Sequence, residues 1–282
     1  MKNALTIDVE DWYQTQDFNF DLNTWDNYDD RVMQSTEKIL ELLQKYNVCG
    51  TFFILGWVAK KHPGLVRRIA EHGHEIGSHG SYHKMVTSQT QEEFRSDVLY
   101  SKKLLEDITG KKVELFRASS WSINSETLWA LQVLQEEGFI CDSSIQPFKT
   151  PLSGMNRVPI TPFRPIINNQ RLKIIEFPSS ALNFSSYNIP FSGGFYLRFL
   201  PYLFISQALK KVNRKRPGMI YVHPWEVDIK QTNVNADKYI KIFHNYNIDT
   251  TYKKLEKLLQ NFEFVTVSEI IKEQEYPYVL LT

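Results

Sequence analysis

Short unbroken apolar runs alternate along the chain with longer stretches whose apolar positions recur every three or four residues. "ALTI" (4–7), "VCGTFFIL" (48–55), "VELFR" (113–117) and "FICD" (139–142) are of the first kind, with the brief "HEIGSH" (74–79) among them. Runs without polar alternation predict strands buried on both faces, as in a parallel sheet. "RVMQSTEKILELLQKYN" (31–47) is of the second kind, with Val32, Ile39, Leu40, Leu42, Leu43 and Tyr46 on a helical stripe. "HPGLVRRIAEHG" sets Pro63 near a first helical position and stops at Gly73. "TQEEFRSDVLYSKKLLEDITG" opens with the capping-box spacing of Thr90 and Glu93 and closes at Gly110. "SETLWALQVLQEEG" (125–138) reads as a helix capped by Ser125. Five strand-like runs alternating with helices predict a parallel sheet covered by helices.

The rhythm breaks between Pro147 and Pro165 into a loop rich in Pro, Gly and Ser. "RLKIIEFPSS" then resumes as a strand, and "SGGFYLRFLPYLFISQALKKV" as a glycine-rich turn feeding one helix. "GMIYVH" (218–223) is a late strand, "TTYKKLEKLLQNF" (250–262) a helix, and "FEFVTVSEII" a last strand and helix. No repeat or low-complexity segment interrupts this order, so residues 1–282 are expected to form one domain.

With 33 Lys and Arg against 32 Asp and Glu and no basic tract, the charge balance gives no sign of nucleic-acid binding. No stretch is long and apolar enough for a transmembrane helix, and the acid in "MKNALTIDVEDW" interrupts any signal-peptide core. These features lead to the expectation of a cytoplasmic protein. Cys49 and Cys141 both lie in apolar runs and read as buried free thiols.

Polar residues punctuate the strand ends. Asp8, Glu10 and Asp11 follow the first run, His79 and His83 the third, and Arg117 ends "ELFR". Asp142 ends "FIC" and His223 ends "MIYV". In parallel α/β barrels, functional side chains collect at these carboxyl ends. Two neutral imidazoles and a carboxylate can hold a divalent ion with one position open, which lowers the pKa of water and polarises a carbonyl. A second carboxylate then serves as base, and a separate histidine as acid toward a leaving nitrogen.

On these residues the chain resembles a polysaccharide deacetylase of the NodB-homology class, carbohydrate esterase family 4. The similarity is greatest to the branch found with exopolysaccharide and exosortase loci. "TIDVEDW", "HEIGSHGSYH", "LFRASSWSI", "CDSSI" and "YVHPWEVD" are similar, in order, to its five motifs, and "SGGFYLRFLPY" to a further segment of that branch. The resemblance implies a distorted (β/α)7 barrel and a metal-dependent hydrolase that removes N-acetyl groups from amino sugars. Zinc is the implied metal, with cobalt or nickel as alternatives. A glycan, or a lipid-linked or nucleotide-linked amino sugar, is the implied substrate. It further implies Asp8 as base, His79 and His83 as metal ligands, Arg117 orienting Asp8, and His223 as acid. For the third ligand, strand alternation puts Glu10 on the face of Asp8, whereas a bend after Asp8 would present Asp11.

The chain departs from the family pattern at two places. Ser119 stands where the third motif usually has proline, in a loop whose backbone would help hold an oxyanion. "CDSSI" lacks a tryptophan usual in the fourth motif, and Asp142 reads either as pairing with an active-site side chain or, the favoured reading, as satisfying backbone N–H groups at a strand end. Trp121, Ser119 and Trp225 are the expected substrate-binding residues. Glu226 and Trp225 are placed to line the cleft or to buttress His223, and Arg198 reads as a surface or structural arginine. Two other readings remain at this point: an amidase for a small C–N substrate, and a catalytically silent glycan-binding or scaffold protein.

Overall fold

A computed structural model describes residues 1–16, 18, 20–185, 187–231 and 238–281. The first half alternates as its sequence pattern demands. Strands β1 (Asn3–Val9), β2 (Thr51–Ile54), β3 (Glu75–Ser78), β4 (Leu115–Phe116) and β5 (Cys141–Asp142) are separated by helices. These are α1 (Val32–Lys45), α2 (Gly56–Lys61), α3 (Pro63–Glu71), α4 (Gln91–Thr109) and α5 (Trp129–Glu136). The second half adds β6 (Arg164–Ile167), β7 (Gln170–Arg171), β8 (Ile175–Glu176) and the hairpin β9 (Ala181–Phe184) and β10 (Tyr187–Pro190). Helices α6 (Phe195–Phe199) and α7 (Tyr202–Val212) precede β11 (Met219–Val222). After them come α8 (Lys238–Asn245), α9 (Ile248–Asn261), β12 (Phe264–Val265), α10 (Val267–Ile271) and β13 (Tyr278–Leu280).

One parallel sheet runs in the order β11-β1-β2-β3-β4-β5-β8, with β12 also on β1. These seven strands with their covering helices make a distorted (β/α)7 barrel, and both chain halves contribute to it.

Strand alternation sorts the side chains into two layers. Leu5, Ile7 and Val9 pack outward into the sheet–helix core, as does Phe52. Ala4 and Phe53 face inward with Leu115, Trp121, Met219 and Tyr221, in a core closed by Val267 and Ile270 of α10. Thr6 and Asp8 share the inward parity of Ala4, which is why Asp8 projects into the barrel mouth.

Local signals explain several helix ends. Thr90 and Glu93 form the reciprocal capping box at the start of α4, and Gly110 ends it in the left-handed region. Gly193 lies so close to β11 that a Cβ there would sit 2.1 Å from the Tyr221 carbonyl oxygen. Only glycine allows that approach.

Three expectations are corrected. Ser125 does not cap α5, which begins at Trp129 after Leu128. Asn124 and Thr127 instead use their side chains on backbone N–H groups in a preceding turn, which displaces the helix start. The segment 192–212 is two helices, because Pro201 cannot continue α6 and instead precedes α7. Cys141 is buried, but Cys49 is exposed in the loop before β2.

Candidate active site

β1 delivers Asp8 and then Glu10 to the barrel mouth, β3 leads into His79, β4 into Arg117 and β11 into His223. The strands are in parallel register, with Ile7 opposite Val222 and Ser78 opposite Phe116, so their exits lie at one level. A cleft of about 450 Å³ opens there, lined by Asp8, Glu10, His79, His83, Trp121 and His223 among others.

Glu10, His79 and His83 each offer one ligand atom within 4.8 Å of the others, and all three are buried. Glu10 Oε2 lies 2.6 Å from His83 Nε2 and 3.8 Å from His79 Nε2. His79 Nδ1 is 2.7 Å from the Arg117 carbonyl oxygen, an acceptor, so the proton belongs on Nδ1. That tautomer leaves the Nε2 lone pair facing Glu10, as metal-bound imidazoles require. His83 reaches the cluster from a backbone with φ of 53°, and its carbonyl is held by the Gln16 side-chain amide at 2.8 Å.

The electrostatics suit a cation. Burial by itself raises the pKa of Glu10, but the charge of His83 and its hydrogen bond, with His223 and His79, outweigh it and hold the carboxyl at about 2. Burial lowers His79 to about 4, keeping the imidazole neutral. A carboxylate and a neutral imidazole are forms a metal takes.

Asp11, the alternative third ligand, points elsewhere. Its Oδ1 accepts the Trp12 N–H at 2.8 Å, and its Oδ2 accepts those of Arg31 and Val32 at 2.5 and 2.8 Å. It closes a capping box with Gln14, so its work is to tie β1 to the start of α1.

Arg117 is fully buried between the rings of Phe53 and Trp121, with its guanidinium carbon 4.2 and 4.3 Å from their centroids. It donates to Asp8 Oδ1 at 2.6 Å, to Thr6 Oγ1, and to the carbonyl and hydroxyl of Ser143. One oxygen of Asp8 is thereby fixed, while Oδ2 faces His223 Nε2 at 3.9 Å.

His223 is held from behind. Glu226 Oε2 lies 2.8 Å from its Nδ1 and also accepts its backbone N–H, and Glu226 Oε1 accepts Arg198 Nε–H at 2.8 Å. Burial opposes the charge on His223, but Glu226 outweighs it, with Glu10 and Asp8 adding, and raises the imidazole to about 9. Trp225 stacks on the same ring at 5.4 Å. Arg198 is buried and also donates to the carbonyls of Phe243, His244 and Tyr246, which makes it a structural arginine.

Of the three expected substrate-binding residues, Trp121 and Trp225 line the cleft but Ser119 does not. Ser119 is buried under a turn in which Ser120 and Trp121 both have positive φ, and this turns Ser120 toward the cleft instead. Asp142 also differs from the expected strand-end acceptor of backbone N–H groups alone. Its Oδ1 accepts from the Ser144 hydroxyl, and it pairs with Glu176, its register partner on β8. Glu176 was the residue sequence reasoning missed, because an acid inside "KIIEFP" gives no sign of what lies across the sheet.

The chain is thus a curled parallel α/β barrel whose carboxyl-terminal mouth holds a buried His, His, carboxylate cluster that could ligate a metal. Residues 24–138 match the family model described as polysaccharide deacetylase, and residues 143–272 one described as a domain of unknown function. Over residues 24–138 the chain is therefore similar to polysaccharide deacetylases.

It is 34% identical over 101 residues to a peptidoglycan-N-acetylglucosamine deacetylase of Bacillus cereus, covering 36% of this chain and 37% of that protein. It is 33% identical over 91 residues to the peptidoglycan-N-acetylmuramic acid deacetylase PdaA of Bacillus subtilis, covering 32% of this chain and 35% of PdaA. The matched region is thus little more than a third of either relative. In structure the chain is similar to a polysaccharide deacetylase candidate from Mycobacterium smegmatis, with a TM-score of 0.63 and 18% identity over 100% of this chain and 93% of that one. It is also similar to the Bc1960 peptidoglycan N-acetylglucosamine deacetylase, with a TM-score of 0.52 and 18% identity over 98% and 90%. His79, His83 and Arg117 fall within the deacetylase match and His223 within the other, while Asp8 and Glu10 precede both.

Proposed function

We propose that the chain is a metal-dependent N-deacetylase acting on an amino sugar of a glycan or glycan precursor, and that residues 1–282 work as one catalytic domain. The observation that carries this reading is the placement of Asp8 and His223 beside the Glu10, His79 and His83 cluster in one cleft. The donor set fits a divalent ion, zinc first among them: two nitrogens and one carboxylate oxygen converge, and the tautomer of His79 is fixed for ligation. Bound there, the ion would supply Lewis acidity toward the acetyl carbonyl and the attacking water.

The chain's own groups account for the protons. Asp8, with one oxygen tied to Arg117, uses its free oxygen to take a proton from water as the C–O bond forms. His223, held protonated by Glu226, gives its proton to the amide nitrogen as the C–N bond breaks. Acetate and a free amino sugar leave. Trp121 and Trp225 offer ring surface in the cleft for a sugar.

Acetate release from N-acetylglucosamine oligomers by the purified chain tests the proposal. Activity should disappear with a chelator and return with added zinc. A metal-loaded, folded chain that releases no acetate from N-acetylated glycans would overturn it.

A further inference from the structure

No Asp or Glu occurs between Glu176 and Glu226, whereas Arg198, Lys210, Lys211, Arg214, Lys215 and Arg216 all lie in that stretch, in a chain whose net charge is only +1. Arg198 and Arg216 are buried. The other four are exposed on the last turn of α7 and just beyond it, and form no ion pair among the described residues.

The first turn of α7 is apolar where its end is basic. Leu203 is 69% exposed and Phe204 40%. Leu203 and Lys210 follow helical spacing along one side, as do Phe204 and Lys211, and Arg214 lies just past the helix end. The apolar surface extends past α7: Phe199 on α6 is 52% exposed and Phe243 on α8 60%. Their rings form one cluster, since Phe195 stacks on Phe199 at 5.3 Å, lies 5.7 Å from Phe243, and Phe199 lies 5.8 Å from Tyr246. Phe195 and Tyr196 also line the catalytic cleft, so the patch begins at its rim.

We propose that this face, α6 with the outer side of α7 and the adjoining part of α8, seats the chain on an anionic lipid bilayer. An exposed ring cluster with further exposed apolar side chains on the next helix is more than the scattered single ones of an ordinary surface, and marks a binding surface. The charge decides the partner. A second copy would set one basic end of α7 against another, at a like-charge cost. An acidic polysaccharide would satisfy the lysines but leave Leu203 and Phe204 in water. A bilayer with anionic headgroups takes both, receiving the apolar side chains at the acyl boundary and the cations at the phosphates. The cleft rim would then lie at the membrane surface, where a lipid-linked glycan is presented.

Flotation of the full chain with vesicles tests this without reference to turnover, so a chain with no deacetylase activity still answers it. The wild type should float with vesicles of phosphatidylglycerol and phosphatidylcholine in equal parts, and much less with phosphatidylcholine alone. The pair Phe199→Ser and Leu203→Ser should bind roughly tenfold more weakly. Lys210→Gln with Lys211→Gln and Arg214→Gln should do the same and flatten the salt dependence. Melting temperatures establish that each variant is folded, and Leu203→Gln alone serves if the double variant is not. Failure of the wild type to bind, binding unaltered in both variant sets, or a solution dimer that Leu203→Gln dissociates would each overturn the proposal, the last in favour of a second copy.

Discussion

Glu176→Gln should make the stability of the protein markedly less sensitive to pH. Glu176 and Asp142 are register partners on adjacent strands, and both are fully buried. Glu176 Oε1 accepts the Ile145 N–H, and Asp142 Oδ1 the Ser144 hydroxyl. Their other oxygens, Oε2 and Oδ2, have no donor among the described residues. Burial first, and then the charge of Asp142, push the Glu176 pKa well above the carboxylate range, and burial also raises Asp142. A single shared proton satisfies both free oxygens.

The sign follows from where that proton goes. The folded state keeps it at a pH where the unfolded chain, with a glutamate pKa of about 4.3, has released it. Stability is therefore full at acid pH and falls as pH rises above about 4.3, by ~1.4 kcal/mol per unit, until the folded pair ionises. Glutamine reproduces the protonated form: its carbonyl takes the Ile145 N–H and its amide donates to Asp142. Between pH 5 and pH 7 the variant should gain on the wild type, by up to ~1.4 kcal/mol per unit for as long as the folded pair keeps its proton. Urea denaturation at both pH values measures this gap. If it stays the same within about 0.5 kcal/mol, the carboxyls do not share a proton, and the buried pair must be neutralised by another group.

The other expectations concern the cleft. Glu10→Gln and His79→Ala should each lose stoichiometric metal by elemental analysis, whereas Asp11→Ala should keep it and instead lose about 2 kcal/mol in denaturant, because three backbone N–H groups lose their acceptor. His223→Ala should retain metal yet release acetate on the order of 10²-fold more slowly, and near-normal turnover would remove it as the acid. Ser119→Pro should fold with an unchanged or higher melting temperature, since Ala118 already holds the extended backbone, φ −70° and ψ 141°, that precedes proline. A lower melting temperature would show that Ser119 makes a contact proline cannot.

Strands β1, β2, β4 and β5 were readable in the sequence because each is buried on both faces and lies in an apolar run. Glu10 was readable because its parity with Asp8 survives one residue beyond the end of β1. Asp11 stood beside Glu10 as an alternative because ligation and capping both draw on acids placed just after a strand, and only the position of α1 reveals the capping bonds. Ser125 misled because a nearby Asn and Thr competed for the same backbone. Arg198 and Glu226 lie 28 residues apart and meet only once α6 packs beside the loop after β11. The Glu176–Asp142 pair likewise exists only through sheet register.

The order of the sheet bears on how the chain comes to fold. On one edge β1 pairs with β11, and on the other with β12 and β2. The strand that delivers Asp8 and Glu10 thus lies beside partners more than 200 residues later in the chain. β2 can join it early, but its other edge stays open until Met219–Val222 arrives. Loop closure over such a span is slow, and an unpaired apolar strand is exposed to wrong partners meanwhile. The pairing that fills this edge is also the one that brings His223 to Asp8. Filling this edge of the sheet and assembling the cleft thus go together, so a partly folded chain would hold the proposed acid and base apart.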